Sequence, residues 1–227
     1  ASAITLMRQR GLDVVSPSPR QVAITPAERL TQPLVNWAWM ALMPLGPAEN
    51  SPYPSMSAAI GQFIVVDAGA GGHSSVAGQV LDDLAIMRAF KSHGFRGIVV
   101  NGTHIADCRM YTNTREVVDG YSKNVGAVFG SVAMIGAVLS VMAVGYVLPP
   151  IFAVGAKDRR TRVMGAVGYA AGVSSRLMVA KQTGERRWPD AFTMPASMAT
   201  FAALAVESYR RRRNGTATWR GRSVTPR

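Results

Sequence analysis

The chain has 227 residues, with 25 Lys and Arg against 13 Asp and Glu and a formal net charge of +12. At 48% hydrophobic and 17% charged residues it is poor in charge for a purely soluble domain, and its apolar residues concentrate after position 124. Cys108 is the single cysteine, which excludes an internal disulfide and a thiolate metal cluster, and His73, His93 and His104 lack zinc-ligand spacing.

Residues 1–21 are polar and mixed, unlike a signal peptide. The chain opens inside a helical pattern over 3–10 that Gly11 would stop, so it is expected to begin partway through a longer protein. Residues 12–16 read as a short strand and Ser16-Pro17-Ser18-Pro19 as a turn. Residues 27–45 are apolar and aromatic, with Trp37, Trp39, Met40 and Met43, and are interrupted by Pro33 and Pro44. Two readings stay open there: an interfacial helix with tryptophans at head-group depth, and a core helix under a sheet.

A Pro-rich loop over 46–57 leads to a short apolar strand over 63–66. Residues 69–72 form a glycine turn with neither Gly-Lys-Ser/Thr nor dinucleotide spacing after it, so it is no phosphate loop. Leu81, Leu84, Met87 and Phe90 recur every three positions on one helix face, and Gly94 caps that helix. Residues 95–100 read as a strand, Asn101-Gly102 as a turn and 103–110 as another strand. Thr114 is placed to cap a helix running through Glu116 to Asn124.

No charge occurs from 124 to 156, a run longer than the roughly 20 residues that cross a bilayer as a helix, and it is predicted to be a membrane span. Residues 163–180, which carry Arg176, and 191–206, with Pro195, are further candidate spans. Gly126 and Gly130 have the small-xxx-small spacing that packs spans or subunits, though ordinary span composition accounts for it as well. Basic clusters at 157–162, 181–187 and 210–213 flank these segments, where cations meet anionic head groups. Nucleic-acid binding would ask for a basic face interleaved with aromatics, which is absent. The three clusters conflict with a simple alternation of spans under the positive-inside tendency. The organisation expected is a soluble α/β layer over 1–123, a transmembrane region of two or three helices over 124–209 and a basic tail over 210–227.

Asp82 and Asp83 open the helix after the glycine turn. Acidic residues there complement the helix dipole, and spacing alone favours that reading. A catalytic reading needs one carboxylate in a cleft as a general base; adjacent helix positions diverge by about 100°, so the two side chains cannot share one role easily.

The ordered set Gly61-Gln62-Phe63, Gly71-Gly72-His73, Asp82-Asp83-Leu84-Ala85, Arg88-Ala89-Phe90-Lys91, Gly94, Arg109-Met110-Tyr111, Arg115-Glu116 and Gly120-Tyr121-Ser122-Lys123-Asn124, followed by spans, resembles the later half of bacterial membrane-bound family 2 glycosyltransferases. The similarity is to the carotenoid- and hopanoid-associated group related to ceramide glucosyltransferases, and Thr218-Trp219-Arg220-Gly221-Arg222 resembles that group's ending. The resemblance implies an α/β fold: part of a Rossmann-like, A-type nucleotide-sugar transferase domain, followed by transmembrane helices. Residues 1–123 would be the C-terminal half of that catalytic domain. It also implies an inverting single displacement onto a lipid or lipid-linked hydroxyl at the cytoplasmic face of a bacterial inner membrane. Asp83 matches the catalytic base and Asp82 its acidic neighbour. Gln62, Gly72 and His73 match the acceptor and sugar side, with a strand-edge hydrogen bond for Gln62 and an exposed loop place for His73 as equal alternatives. Arg109 and Lys123 could counter diphosphate charge, although for Lys123 snorkelling beside the first span is favoured.

Three departures stand out. No Asp-x-Asp occurs in the chain, so the divalent metal (Mg or Mn) and the nucleotide grip are expected from a preceding or partner half, and homo-oligomers are also allowed. The segment between Phe63 and Gly71 is short and carries Asp67 where the family favours basic residues. Tyr121-Ser122-Lys123-Asn124 stands where relatives carry Gln/Arg-x-x-Arg-Trp, which disfavours a processive polysaccharide synthase. The competing expectation is a non-catalytic integral membrane protein with a cytoplasmic cap.

Overall fold

Residues 3–42, 45–51, 53–67, 82–129, 131–216, 218–219 and 222–223 are described in the structure, a computed structural model. In chain order the regular elements are α1 (Ala3–Arg10), β1 (Val14–Ser18), β2 (Arg20–Gln21), α2 (Pro26–Thr31), α3 (Pro33–Leu42), α4 (Leu45–Asn50), β3 (Val65–Val66), α5 (Asp82–Ser92), β4 (Gly97–Asn101) and β5 (Asp107–Cys108). There follow α6 (Thr114–Phe129), α7 (Val132–Met142), a π-helical segment (Ala143–Val147), α8 (Leu148–Gly155), α9 (Arg159–Thr183), α10 (Met194–Arg213), β6 (Thr218–Trp219) and β7 (Arg222–Ser223). The fold is mixed α/β and mainly helical, with a small sheet and two helices long and apolar enough to cross a membrane. The chain divides into one unit of residues 1–22 and 36–109 and another of 23–35 and 110–227.

The first unit is built on β1. It pairs in parallel with β4, from Val14↔Gly97 to Ser18↔Asn101, and antiparallel with β3 through Val14↔Val66 and Val15↔Val65. Val14, Val15 and the α5 residues Ile86, Met87 and Phe90 are buried on its faces, so the three-residue periodicity does mark the core side of that helix. Gly94 takes a positive φ of 81° after α5, as its cap position requires.

The strand runs through Pro17, past the predicted turn. Val14 donates its N–H to the Arg96 carbonyl. By alternation Ser16 and Ser18 also face β4, while Pro17 faces the side where β3 has already ended, so its missing N–H costs no ladder bond. The strand expected over 103–110 shrinks to β5, parallel to β2 through Arg20↔Asp107 and Gln21↔Cys108. Asn101 instead folds an Asx turn, its Oδ1 accepting from the Thr103 N–H at 3.1 Å.

The Pro-rich stretch is partly helical, as α4, and is tied to α5 by Lys91. That side chain is 3% exposed, and its Nζ donates to the carbonyls of Ala48, Ser51 and Met56. Burial pulls its ammonium below the usual lysine range. Trp37 and Trp39 are 2% and 7% exposed, which supports the core reading of 27–45 over the interfacial one.

In the second unit, α6 is capped by Asn113, one residue before the expected Thr114. Asn113 Oδ1 accepts from the Glu116 N–H at 2.9 Å, and Glu116 reaches back to the Thr112 N–H at 2.8 Å. The charge-free run is not one helix. α6 ends at Phe129, and Ser131 caps α7, accepting from the Met134 N–H. The candidate span is 132–155, and it passes through the π-helical segment just before Pro149 and Pro150, whose missing N–H groups free carbonyls of the preceding turn. The second candidate span is α9, opened by Asp158, whose carboxylate accepts from the Thr161 N–H. It returns along α8 on a glycine face. A Cβ at Gly165 would lie 2.5 Å from the Ala153 N and 2.6 Å from the Pro149 O, and Gly168 and Gly172 meet Pro149 and Tyr146. The small-residue contact thus falls at Gly165, Gly168 and Gly172. Gly130 and the surroundings of Gly126 lie outside what is described.

α10 is not among the candidate spans. It packs against α6 and runs through Arg213, so the first four residues assigned to the basic tail are its last turn.

Candidate functional site

In open α/β sheets, ligands bind beyond the carboxyl ends of the parallel strands. In the first unit that end gathers the residues after β1, the loop before β3, the Asn101-Gly102 turn and the start of α5. Ser16, fully buried, accepts from the Ile60 N–H at 2.7 Å and donates to the Ile60 carbonyl at 3.1 Å, which fixes the 57–62 loop beside β1. The Gly61 N–H then donates to Asp83 Oδ2 at 2.8 Å, and the Leu84 N–H donates to Asp83 Oδ1 at 2.8 Å. A Cβ at Gly61 would lie 3.0 Å from that Oδ2 and 3.1 Å from the Asp83 Cβ, so a glycine is what lets the carboxylate close on this backbone.

Gln62, next in the chain, exchanges amide bonds with Gln21. Gln21 Nε2 donates to Gln62 Oε1 at 2.7 Å and Gln62 Nε2 to Gln21 Oε1 at 3.2 Å. Gln21 also donates to the Pro19 carbonyl, and Asn36, buried, donates to the same oxygen while accepting from the Trp39 indole. Arg109 follows β5 directly and is exposed. The neighbouring Arg20–Asp107 pair is bidentate, at 2.8 and 2.6 Å, and the guanidinium holds the Asp107 carboxyl below the usual carboxylate range.

Of the seven candidate residues, the structure brings Gly61-flanked Gln62 and half-buried Asp83 to one loop–helix junction and puts Arg109 in the same unit. Asp82 opens α5. Lys123 belongs to the second unit, half-buried on α6. Gly72 and His73 lie outside the described residues. Gln21 and Ser16 were missed, because a polar residue at a strand end carries no signal until its partner 41 or 44 positions away is known.

No group of three or more His, Cys, Asp or Glu is arranged to hold a metal among the described residues. Both Asp83 oxygens accept backbone N–H bonds. The described residues do not fit a divalent-metal centre. A cavity of about 420 Å³ in the first unit opens at the other end of β1, against Met7, Arg8, Asp13 and Asp67, and holds none of the candidate residues.

The second unit contains a buried ionic cluster that the spacing did not reveal. Asp190, 2% exposed, accepts from Arg29, including Nε to Oδ2 at 3.1 Å. Arg176, 3% exposed within α9, donates to Ser197 Oγ at 2.6 Å and to the Arg29 carbonyl at 2.8 Å. Tyr121 donates to the Thr31 carbonyl at 3.1 Å, and burial pushes its phenol far above the usual range. These bonds staple α2 to α6, α9 and α10. They explain how a helix with an arginine in its apolar stretch stays apolar outside: the guanidinium points into protein.

Comparison of the chain with protein-family models, with curated proteins and with solved structures returns no match.

Proposed function

We propose that the chain is the acceptor-side part of an inverting, family 2-like glycosyltransferase of the bacterial inner membrane, with an A-type, Rossmann-like catalytic domain on its cytoplasmic side. The observation that carries this reading is the Asp83 carboxylate, held by two backbone N–H groups at a helix start beyond the carboxyl ends of β1 and β4. The two candidate spans support a substrate that resides in the bilayer.

In this reading Asp83 removes the proton from an acceptor hydroxyl as its oxygen bonds to the anomeric carbon. The bond from that carbon to the nucleoside diphosphate breaks on the opposite face, and the diphosphate leaves with the electron pair. The Gly61 and Leu84 N–H groups fix the direction of the carboxylate. Gln62, oriented by Gln21, faces acceptor or sugar hydroxyls, and Arg109 offsets diphosphate charge. Lys123, Asp82, Gly72 and His73 keep the roles that the resemblance implies. The nucleotide and metal grip belongs to residues outside this chain.

The test is Asp83→Asn in the intact protein that carries this chain, assayed in membranes with a panel of radiolabelled nucleotide sugars and extracted lipid acceptors. Transfer falls by about 10²-fold or more with unchanged expression. The two N–H bonds would equally suit a loop pin in a non-catalytic membrane protein, and unchanged transfer in the variant decides for that reading.

A further inference from the structure

The three basic clusters differ in what they face. At the end of α10, Arg211 pairs with Asp119 at 2.7 Å and with Glu207 at 2.7 Å, and Arg210 pairs with Glu207 at 2.9 Å. Arg186 of the middle cluster lies 3.7 Å from Asp190. The cluster at the α8–α9 turn has no such neighbours. Lys157, Arg159, Arg160 and Arg162 are exposed, and none makes an ion pair among the described residues. The one carboxylate beside them, Asp158, is committed to the Thr161 N–H at 2.7 Å.

These four cations sit where two apolar helices end. Only 6% of the most apolar 18-residue stretch of the 132–155 helix is buried within the chain, and its apolar surface stops at Ala156, one residue before Lys157. The surface of α9 becomes apolar at Val163 and Met164, one residue after Arg162. Charge therefore rings the tip of an apolar hairpin. We infer that this tip is a binding surface for the phosphate groups of anionic phospholipids, with the hairpin in the hydrocarbon and the four cations in the head-group layer. A free anion or an acidic protein would complement the charge but leave the flanking apolar surface in water. A phospholipid answers both. This inference does not depend on the catalytic role of Asp83.

The test reconstitutes the full chain in phosphatidylcholine bilayers containing spin-labelled phosphatidylglycerol or spin-labelled phosphatidylcholine, and compares the motionally restricted fraction of each by electron paramagnetic resonance. The chain is expected to prefer the glycerol lipid by about threefold or more, a preference that falls in high salt. The variant K157Q/R159Q/R160Q/R162Q loses it. The charge-retaining variant K157R/R159K/R160K/R162K keeps it, which separates charge from misfolding. Neutralising Lys181, Arg187, Arg212 and Arg213 leaves most of it. The inference is overturned if the native chain shows no preference, or if the first variant retains it. It is equally overturned if the charge-retaining variant loses the preference while its helix content is unchanged, if the loss follows the second set of residues, or if a short single-stranded RNA abolishes the preference at physiological salt.

Discussion

Asp190 and Arg176 carry opposite charges in a region that apolar patterning makes unreadable for charge. Asp190 is bound by Arg29 and lies near Arg186, and Arg176 satisfies its guanidinium on a hydroxyl and a carbonyl. Removing the carboxylate leaves the Arg29 guanidinium without its partner and the nearby Arg186 without its counter-charge. Asp190→Ala is expected to cost about 2–3 kcal/mol, below the usual 3–5 for breaking a buried pair, because the Arg29 side chain keeps 27% exposure and regains some solvation. Thermal unfolding of the full chain in nanodiscs measures it, and a loss under 1 kcal/mol, about the worth of a surface pair, would place the cluster in solvent. The sequence shows Arg176 as a flaw in a span. Its remedy lies at Arg29 and Ser197, 147 and 21 positions away, and no local pattern points there.

At the scale of elements, the hairpin of α8 and α9 depends on the absence of side chains. Gly165 meets backbone atoms of Pro149 and Ala153, so even a methyl group there has no rotamer to retreat into. Gly136 on α7 has nothing within 4 Å of its added Cβ. Gly165→Ala should therefore destabilise by about 1–3 kcal/mol through overpacking, whereas Gly136→Ala should be neutral or stabilising by up to about 1 kcal/mol through helix propensity. The pair of melting curves in one bilayer mimetic is the measurement. Equal effects would mean that the two helices do not touch along that face. Both glycines look alike as letters in an apolar run, and only the partner helix distinguishes them. The helix starts are different: Asn113 with Glu116 and Asp158 before α9 act within one turn and can be read along the chain.

For the whole molecule, the charge of +12 is spread unevenly. Arg211 spans α10 and α6 by holding both Glu207 and Asp119, and Arg211 and Arg210 keep the Glu207 carboxyl below its ordinary value of 4.5. A depressed folded-state value means that the unfolded chain binds the proton more readily. The contribution is complete above the ordinary glutamate range and fades as pH falls through the lowered value. The protection factor of the last turns of α10, exchange taken against the intrinsic rate at each pH, should accordingly fall below pH 4.5 and stay flat from neutral pH down to that point. Protection that falls on the alkaline side instead would assign the contact to another group. High salt should weaken the same contact, since Glu207 and Arg211 remain about a quarter exposed.

What sequence alone determined is local and periodic: the helix face of Leu84, Met87 and Phe90, the stop at Gly94, the strand before Asn101, and a long apolar run fit for a membrane. These follow from forces acting within a turn or a pleat, so neighbours in the chain suffice to read them. Tertiary structure decided that Pro17 stays in a strand, that Trp37 and Trp39 are core, and that Gly61 clasps Asp83. Each of those depends on a partner remote in sequence, whose position becomes known only when the chain has closed on itself.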